Sequence, residues 1–228
     1  MARIRLDGNP PVEVTLRRSA RARRLSLRVS RLDGTVSLTL PARAPEREAL
    51  AFLREREAWV RGHLAQVAPA RAVAEGALVP VEGRDCRVVV APGRAALREG
   101  ELRVAPGRPP GPQVRALLKA RARDRLVEAS GRYAVRLGRP HGPITLRDTR
   151  SRWGSCASSG ALSYSWRLVM APPEVLDYVA AHEVAHLEEA NHAPAFWAVV
   201  ARLFPGYAAP RAWLRREGSA LLRFGFDD

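Results

Sequence analysis

Cysteine is scarce: the 228 residues hold two, Cys86 and Cys156, far apart and outside any C-x-x-C pair. A disulfide framework and a thiolate zinc ribbon are therefore not indicated, and a reducing, cytoplasmic setting is expected. Long apolar runs are missing as well. No stretch approaches the ~20 apolar residues needed to cross a bilayer, and the opening MARIRLDGNPPVEV offers no signal-peptide core, so neither membrane insertion nor export is expected. Lysine is nearly absent, because Lys119 stands alone among 38 basic residues and arginine carries the formal charge of +15. Such a skew can follow genomic base composition as readily as selection for phosphate, which leaves nucleic acid a secondary candidate partner. Lys and Arg are missing altogether between Arg167 and Arg202, where Glu174, Asp177, Glu183, Glu188 and Glu189 lie. An acidic window in a basic protein suits a cation.

What is present is enough apolar material, 46% of the chain, to bury a core without covalent staples. Val12, Val14 and Leu16, then Leu25, Leu27 and Val29, then Val36, Leu38 and Leu40 alternate as in strands, with Asp33-Gly34 marking a hairpin between the last two runs. Leu50, Leu53, Val60, Leu64 and Val67 recur at helical spacing, predicting one helix from about Glu46 to Val67. Short strands follow at Cys86 to Val90 and Glu101 to Val104. The run from Pro106 to Pro112 reads as a linker. The expected division is a β-rich part over 1–112 and a second domain over 113–228. The second opens with a helix from Gln113 to Tyr133 and continues with strands at Ile144 to Arg147 and Ala161 to Trp166. Helices are then expected from Pro172 to Glu188, Pro194 to Phe204 and Arg211 to Glu217, the last stopped by Gly218.

The helix beginning at Pro172 carries H-E-x-x-H at His182, Glu183 and His186. Histidines four apart project from one helix face, so both imidazoles can reach one zinc ion, while Glu183, offset by about 100°, can reach the metal's water without being a ligand. A catalytic zinc needs a third protein ligand and one open position. His192 supplies that ligand if the chain turns at Ala190-Asn191, with Asn191 in the left-handed region, and Phe196 and Trp197 are placed to pack behind it. Glu217 is the alternative third ligand, from a later helix. Zinc lowers the pKa of its water toward ~7, and Glu183 would take the proton as hydroxide attacks a carbonyl or phosphoryl centre.

Several motifs strengthen the case: S-R-W-G-S-C from Ser151, W-R-L from Trp166, A-P-P-E-V from Ala171, D-Y-V from Asp177, H-E-V-A-H-L from His182 and N-H-A-P-A-F-W from Asn191. Together they resemble the YgjP-like metallopeptidase domain proteins, zincins related to the SprT-like group. Ser165, where Asn is expected, and Ala193, where Ser is expected, depart from the pattern. The resemblance implies an α+β, zincin-like metallopeptidase domain with an active-site helix, preceded by a β-rich N-terminal part. It also implies His182, His186 and His192 as zinc ligands, Glu183 as general base, and a peptide or protein substrate. Arg152 and Trp153 are candidate substrate or oxyanion contacts, and Ala161 to Trp166 is the candidate edge strand for an extended peptide. Two other classes compete: a metal-dependent nucleotide phosphohydrolase, and a nucleic-acid-associated module using Arg17, Arg18, Arg21, Arg23 and Arg24.

Overall fold

The computed structural model describes residues 2–30, 34–67 and 69–227, which form two compact units, 1–70 and 71–228. The first unit is a four-stranded sheet covered on one face by helices. Strand β1 (Ala2–Leu6) pairs antiparallel with β2 (Val12–Ser19), and β3 (Ser26–Val29) pairs antiparallel with β4 (Val36–Pro41). Strands β2 and β4 lie parallel at the centre, giving the order β1-β2-β4-β3. Alternation sends Leu6, Val12, Val14, Leu16, Val36, Leu38 and Leu40 to one face. There they pack with Ala49 and Leu53 of α1 (Glu46–Glu55) and Val60 of α2 (Glu57–Ala65). The expected hairpin is β3-β4, although Asp33 itself lies outside the described residues. The expected single helix is two, interrupted at Arg56, whose φ of −97° and ψ of 9° leave the helical region.

The second unit is mixed α+β. Strand β5 (Arg71–Ala72) pairs with the last strand of the chain. Strands β6 (Leu78–Val81), β7 (Arg84–Val90), β8 (Ala96–Arg98) and β9 (Glu101–Val104) form a sheet in the order β6-β7-β9-β8. Helix α3 (Pro110–Leu137) then buries Val114, Leu118, Ala122, Leu126, Ala129 and Tyr133 along one stripe. A second sheet, ordered β10-β12-β11, comprises β10 (Ile144–Arg147), β11 (Gly154–Cys156) and β12 (Leu162–Ser165). A 3₁₀ turn, Trp166–Met170, leads to α4 (Pro173–Ala185), α5 (Pro194–Leu203), α6 (Ala208–Leu221) and β13 (Phe224–Gly225), which pairs with β5. No helix among the described residues is long and apolar enough to cross a membrane.

Two expectations fail for the same reason: here proline and glycine serve packing rather than punctuation. The Pro106 to Pro112 run is not a domain linker, and the units part at residue 70 rather than 112. Pro110 and Pro112 occupy the first turn of α3, where a missing N–H costs nothing, and Gly111 lies so close to Phe226 that an added Cβ would sit 2.8 Å from its carbonyl oxygen. Gly218 does not stop α6. A Cβ there would come within 3.0 Å of the Trp153 ring, so glycine lets the indole lie against the helix.

The turn between β6 and β7 is tied to α3 by charge. Glu82, just before β7, accepts hydrogen bonds from Arg121 and Arg125 of α3 at 2.7 and 2.6 Å. Burial raises its pKa, but the two guanidinium groups together outweigh this and hold it below the ordinary carboxylate value. A depressed native pKa means stability present above the unfolded pKa of about 4.5 and lost as pH falls. Glu82→Gln is therefore expected to lower unfolding free energy by about 1 kcal/mol at pH 7. The difference from wild type should shrink as pH falls below about 4.5 in denaturant titrations at neutral and at acid pH. An equal deficit at both would assign the effect to packing.

Candidate metal centre

Helix α4 carries the site, and its local sequence explains its placement. Pro173 opens the helix, Glu174 complements its N-terminal dipole, and Val175, Leu176, Val179, Ala180, Ala181, Val184 and Ala185 bury nearly its whole circumference. The helix ends one turn earlier than expected, with His186 as its C-cap. The chain then reverses with no residue of positive φ between His186 and Ala193, so Asn191 is not the left-handed pivot expected there. Instead the backbone N–H groups of Glu188 and Glu189 both return to the Ala185 carbonyl. The Glu189 carbonyl in turn lies 3.0 Å from His186 Nδ1.

This turn brings His192 back over the helix. One ring nitrogen from each of His182, His186 and His192 falls within 4.8 Å of the others, and His192 Nε2 is 3.0 Å from His182 Nε2. Phe196 is fully buried behind them, stacked on His186 at 4.4 Å and edge-on to His182 and His192 at 4.9 and 4.7 Å. Trp197 adds contacts with His182 and His192, so both aromatics hold the rings, as the sequence suggested. Ala193 is the N-cap of α5 and offers it no side-chain hydrogen bond, a contact a serine could make. Ser165, the other departure, is fully buried, with no hydrogen-bond partner for its hydroxyl among the described residues.

The electrostatics favour neutral imidazoles at His182 and His186. Burial, reinforced by the charges His186 and His192 would carry, pushes the His182 pKa down to about 3, and burial lowers that of His186. Deprotonated rings present lone pairs, and two Nε2 atoms aimed at each other across 3.0 Å need a proton or a cation between them. Three imidazoles without thiolates, with His186 oriented by a backbone carbonyl, form a donor set that fits zinc. His182 Nδ1 is buried without a partner among the described residues, so packing rather than a hydrogen bond fixes that ring.

Glu183 is 5% exposed, and burial raises its pKa to about 8, opposed by the charge of Arg152. It lies beneath β11. A Cβ on Gly154 would sit 2.5 Å from Glu183 Oε1, so this backbone can approach the carboxylate only as glycine. Gly154→Ala is expected to displace the carboxylate while sparing the histidines, cutting turnover on the order of 100-fold at unchanged metal content. Steady-state kinetics alongside metal analysis checks this, and full activity would detach Gly154 from the site.

An open groove of about 380 Å³ is lined by Gly154 to Ser158, His182, Glu183, His186, Ala190 and His192. Its strand is β11, not the expected Ala161 to Trp166 segment. That segment is β12, the central strand, already paired on both sides with β10 and β11. Of the other candidate contacts, Arg152 is exposed at the entry to β11, while Trp153 is half-buried against Gly218. Cys156 also faces the groove and is half-buried. Glu217 ion-pairs with Arg216 and has no place in the histidine cluster.

An α+β unit with three converging imidazoles beside a buried carboxylate has the makings of a metal-dependent hydrolase. The chain belongs to the YgjP-like family, metallopeptidase domain, which it matches over residues 23–217. It is also similar to the crystal structure of the metallopeptidase zymogen of Pyrococcus abyssi abylysin. That likeness has 22% sequence identity and a TM-score of 0.36, and it covers 41% of this chain and 92% of the other. No curated protein matches the chain.

Proposed function

We propose that this protein is a zinc-dependent peptidase in which His182, His186 and His192 hold the metal and Glu183 is the general base. The supporting observation is the convergence of three ring nitrogens within 4.8 Å beside a carboxylate on the same helix. Zinc, when bound, supplies a Lewis acid that polarises a carbonyl and makes water acidic enough to attack at neutral pH. Glu183 accepts the proton of the attacking water on a carboxylate oxygen and can pass it to the leaving amine. Its burial beneath Gly154 keeps that carboxylate away from bulk solvent, and a dication nearby would favour its charged form against the burial that raises its pKa.

Strand β11 offers the substrate a backbone edge. It pairs with β12 on one side only, and its outer edge lies along the groove that contains the histidines, so an extended peptide can add there as a further strand. Arg152 stands at the entry to that edge as a donor for a carbonyl oxygen. The two free cysteines suit a reducing, cytoplasmic setting. The test is an assay of the wild type on casein-like chains and on nucleoside triphosphates, each with chelator controls. Chelator-sensitive cleavage of the polypeptide is expected; chelator-sensitive turnover of nucleotides alone would replace the peptidase with a phosphohydrolase.

A further inference from the structure

The charges of the 1–70 unit are segregated. The two helices and Arg56 between them carry Glu46, Glu48, Glu55 and Glu57 against Arg47, Arg54, Arg56 and Arg61, so the helical layer is neutral. The outward face of the sheet is different. Strand alternation and register place Arg3 and Arg5 of β1, Arg17 of β2 and Arg28 of β3 on that face, with Thr15, Ser26, Ser37 and Thr39 between them. One cross-sheet row reads Arg3, Thr15, Ser37, Arg28, and the next reads Arg17, Thr39, Ser26. Exposed Arg21, Arg23 and Arg24 follow in the segment that connects β2 to β3. The single acid among the described residues of this face is Glu13, paired with Arg3. Arg18 braces the carbonyls of Ala42 and Ala44, but Arg5, Arg17 and Arg28 form no ion pair with any described residue. The two layers carry four of these arginines each, and the difference lies in the acids, four on the helical layer against Glu13 on the sheet face.

We propose that this outward sheet face binds the sugar-phosphate backbone of double-stranded nucleic acid. Arginines interleaved with hydroxyls are the groups that position phosphates. Two rows about 7 Å apart, spanning four strands and hence about 14 Å, present a two-dimensional array rather than a single track. The unit's aromatics, Phe52 and Trp59, lie on its helices, so the face has nothing on which an unpaired base could stack. No helix or strand among the described residues projects from it to read a groove, so the binding is independent of sequence and steeply salt-dependent.

Fluorescence anisotropy of the full chain with a labelled duplex DNA tests this, with single-stranded DNA and phosphatidylserine vesicles as further arms. A dissociation constant of about 10⁻⁴–10⁻⁶ M at physiological salt is expected for the duplex, with weaker binding to the single strand. The variant Arg5→Gln/Arg17→Gln/Arg28→Gln should bind at least about tenfold more weakly and flatten the log–log salt slope by roughly 2 to 3. The variant Arg98→Gln/Arg108→Gln/Arg123→Gln removes three exposed charges from the other unit and should bind as wild type. Should the first variant misfold by circular dichroism, Arg21→Gln/Arg23→Gln/Arg24→Gln replaces it with the same expected loss. Equal losses in the control, a preference for single strands or vesicles, or no duplex binding would each overturn the proposal.

Discussion

Replacing Glu183 by glutamine is expected to lower peptide hydrolysis by about 10³–10⁴-fold while one equivalent of zinc stays bound. The carboxylate lies beneath Gly154 and is nearly inaccessible, so the amide can occupy its space without disturbing the histidines one position before and three positions after it. What is lost is the proton acceptor. Glutamine cannot take a proton from water near neutral pH, and among the described residues lining the groove no other carboxylate could substitute. Steady-state cleavage of a fluorogenic peptide, read alongside zinc content, separates the two roles. A variant that lost its zinc would make Glu183 part of the metal's support, and a fully active one would remove it from the mechanism.

The second large effect is expected at His192. This residue sits on the turn after α4, its Nε2 3.0 Å from that of His182, and completes the only three-ligand cluster among the described residues. Outer partners of metal ligands are each worth 10–100-fold in affinity, and removing a ligand outright should cost more, so His192→Ala should bind zinc at least about 100-fold more weakly. Glu217→Gln should bind as wild type, because Glu217 pairs with Arg216 on α6, away from the imidazoles. Competition with a chromophoric chelator measures both. Zinc kept by the first variant and lost by the second would transfer the third ligand to Glu217.

Much of the site could be read in the sequence because a single helix carries it. Pro172-Pro173, Glu174 and the histidine spacing are local signals, and the placement of His192 needed only a turn of the right length. The turn rests on the backbone rather than on a particular side chain: two N–H groups converge on the Ala185 carbonyl, which makes the bend expected of Asn191. Strand β11 was missed because its three residues are too few to display a period, and it is defined by its partner β12. Gly218 looked like a helix stop, whereas it lets Trp153 approach backbone as Gly154 lets Glu183, contacts visible only when distant segments meet. The boundary at residue 70 has the same character. The composition change near Pro106 is stronger, but two helix-opening prolines produce it.

The claim that His182, His186 and His192 hold one zinc ion is tested most directly by zinc K-edge X-ray absorption on the purified, zinc-loaded protein. Three imidazole nitrogens and one oxygen at about 2.0–2.1 Å, with no sulfur, are predicted. Sulfur scattering at about 2.3 Å, or fewer than two imidazoles per zinc, would contradict it.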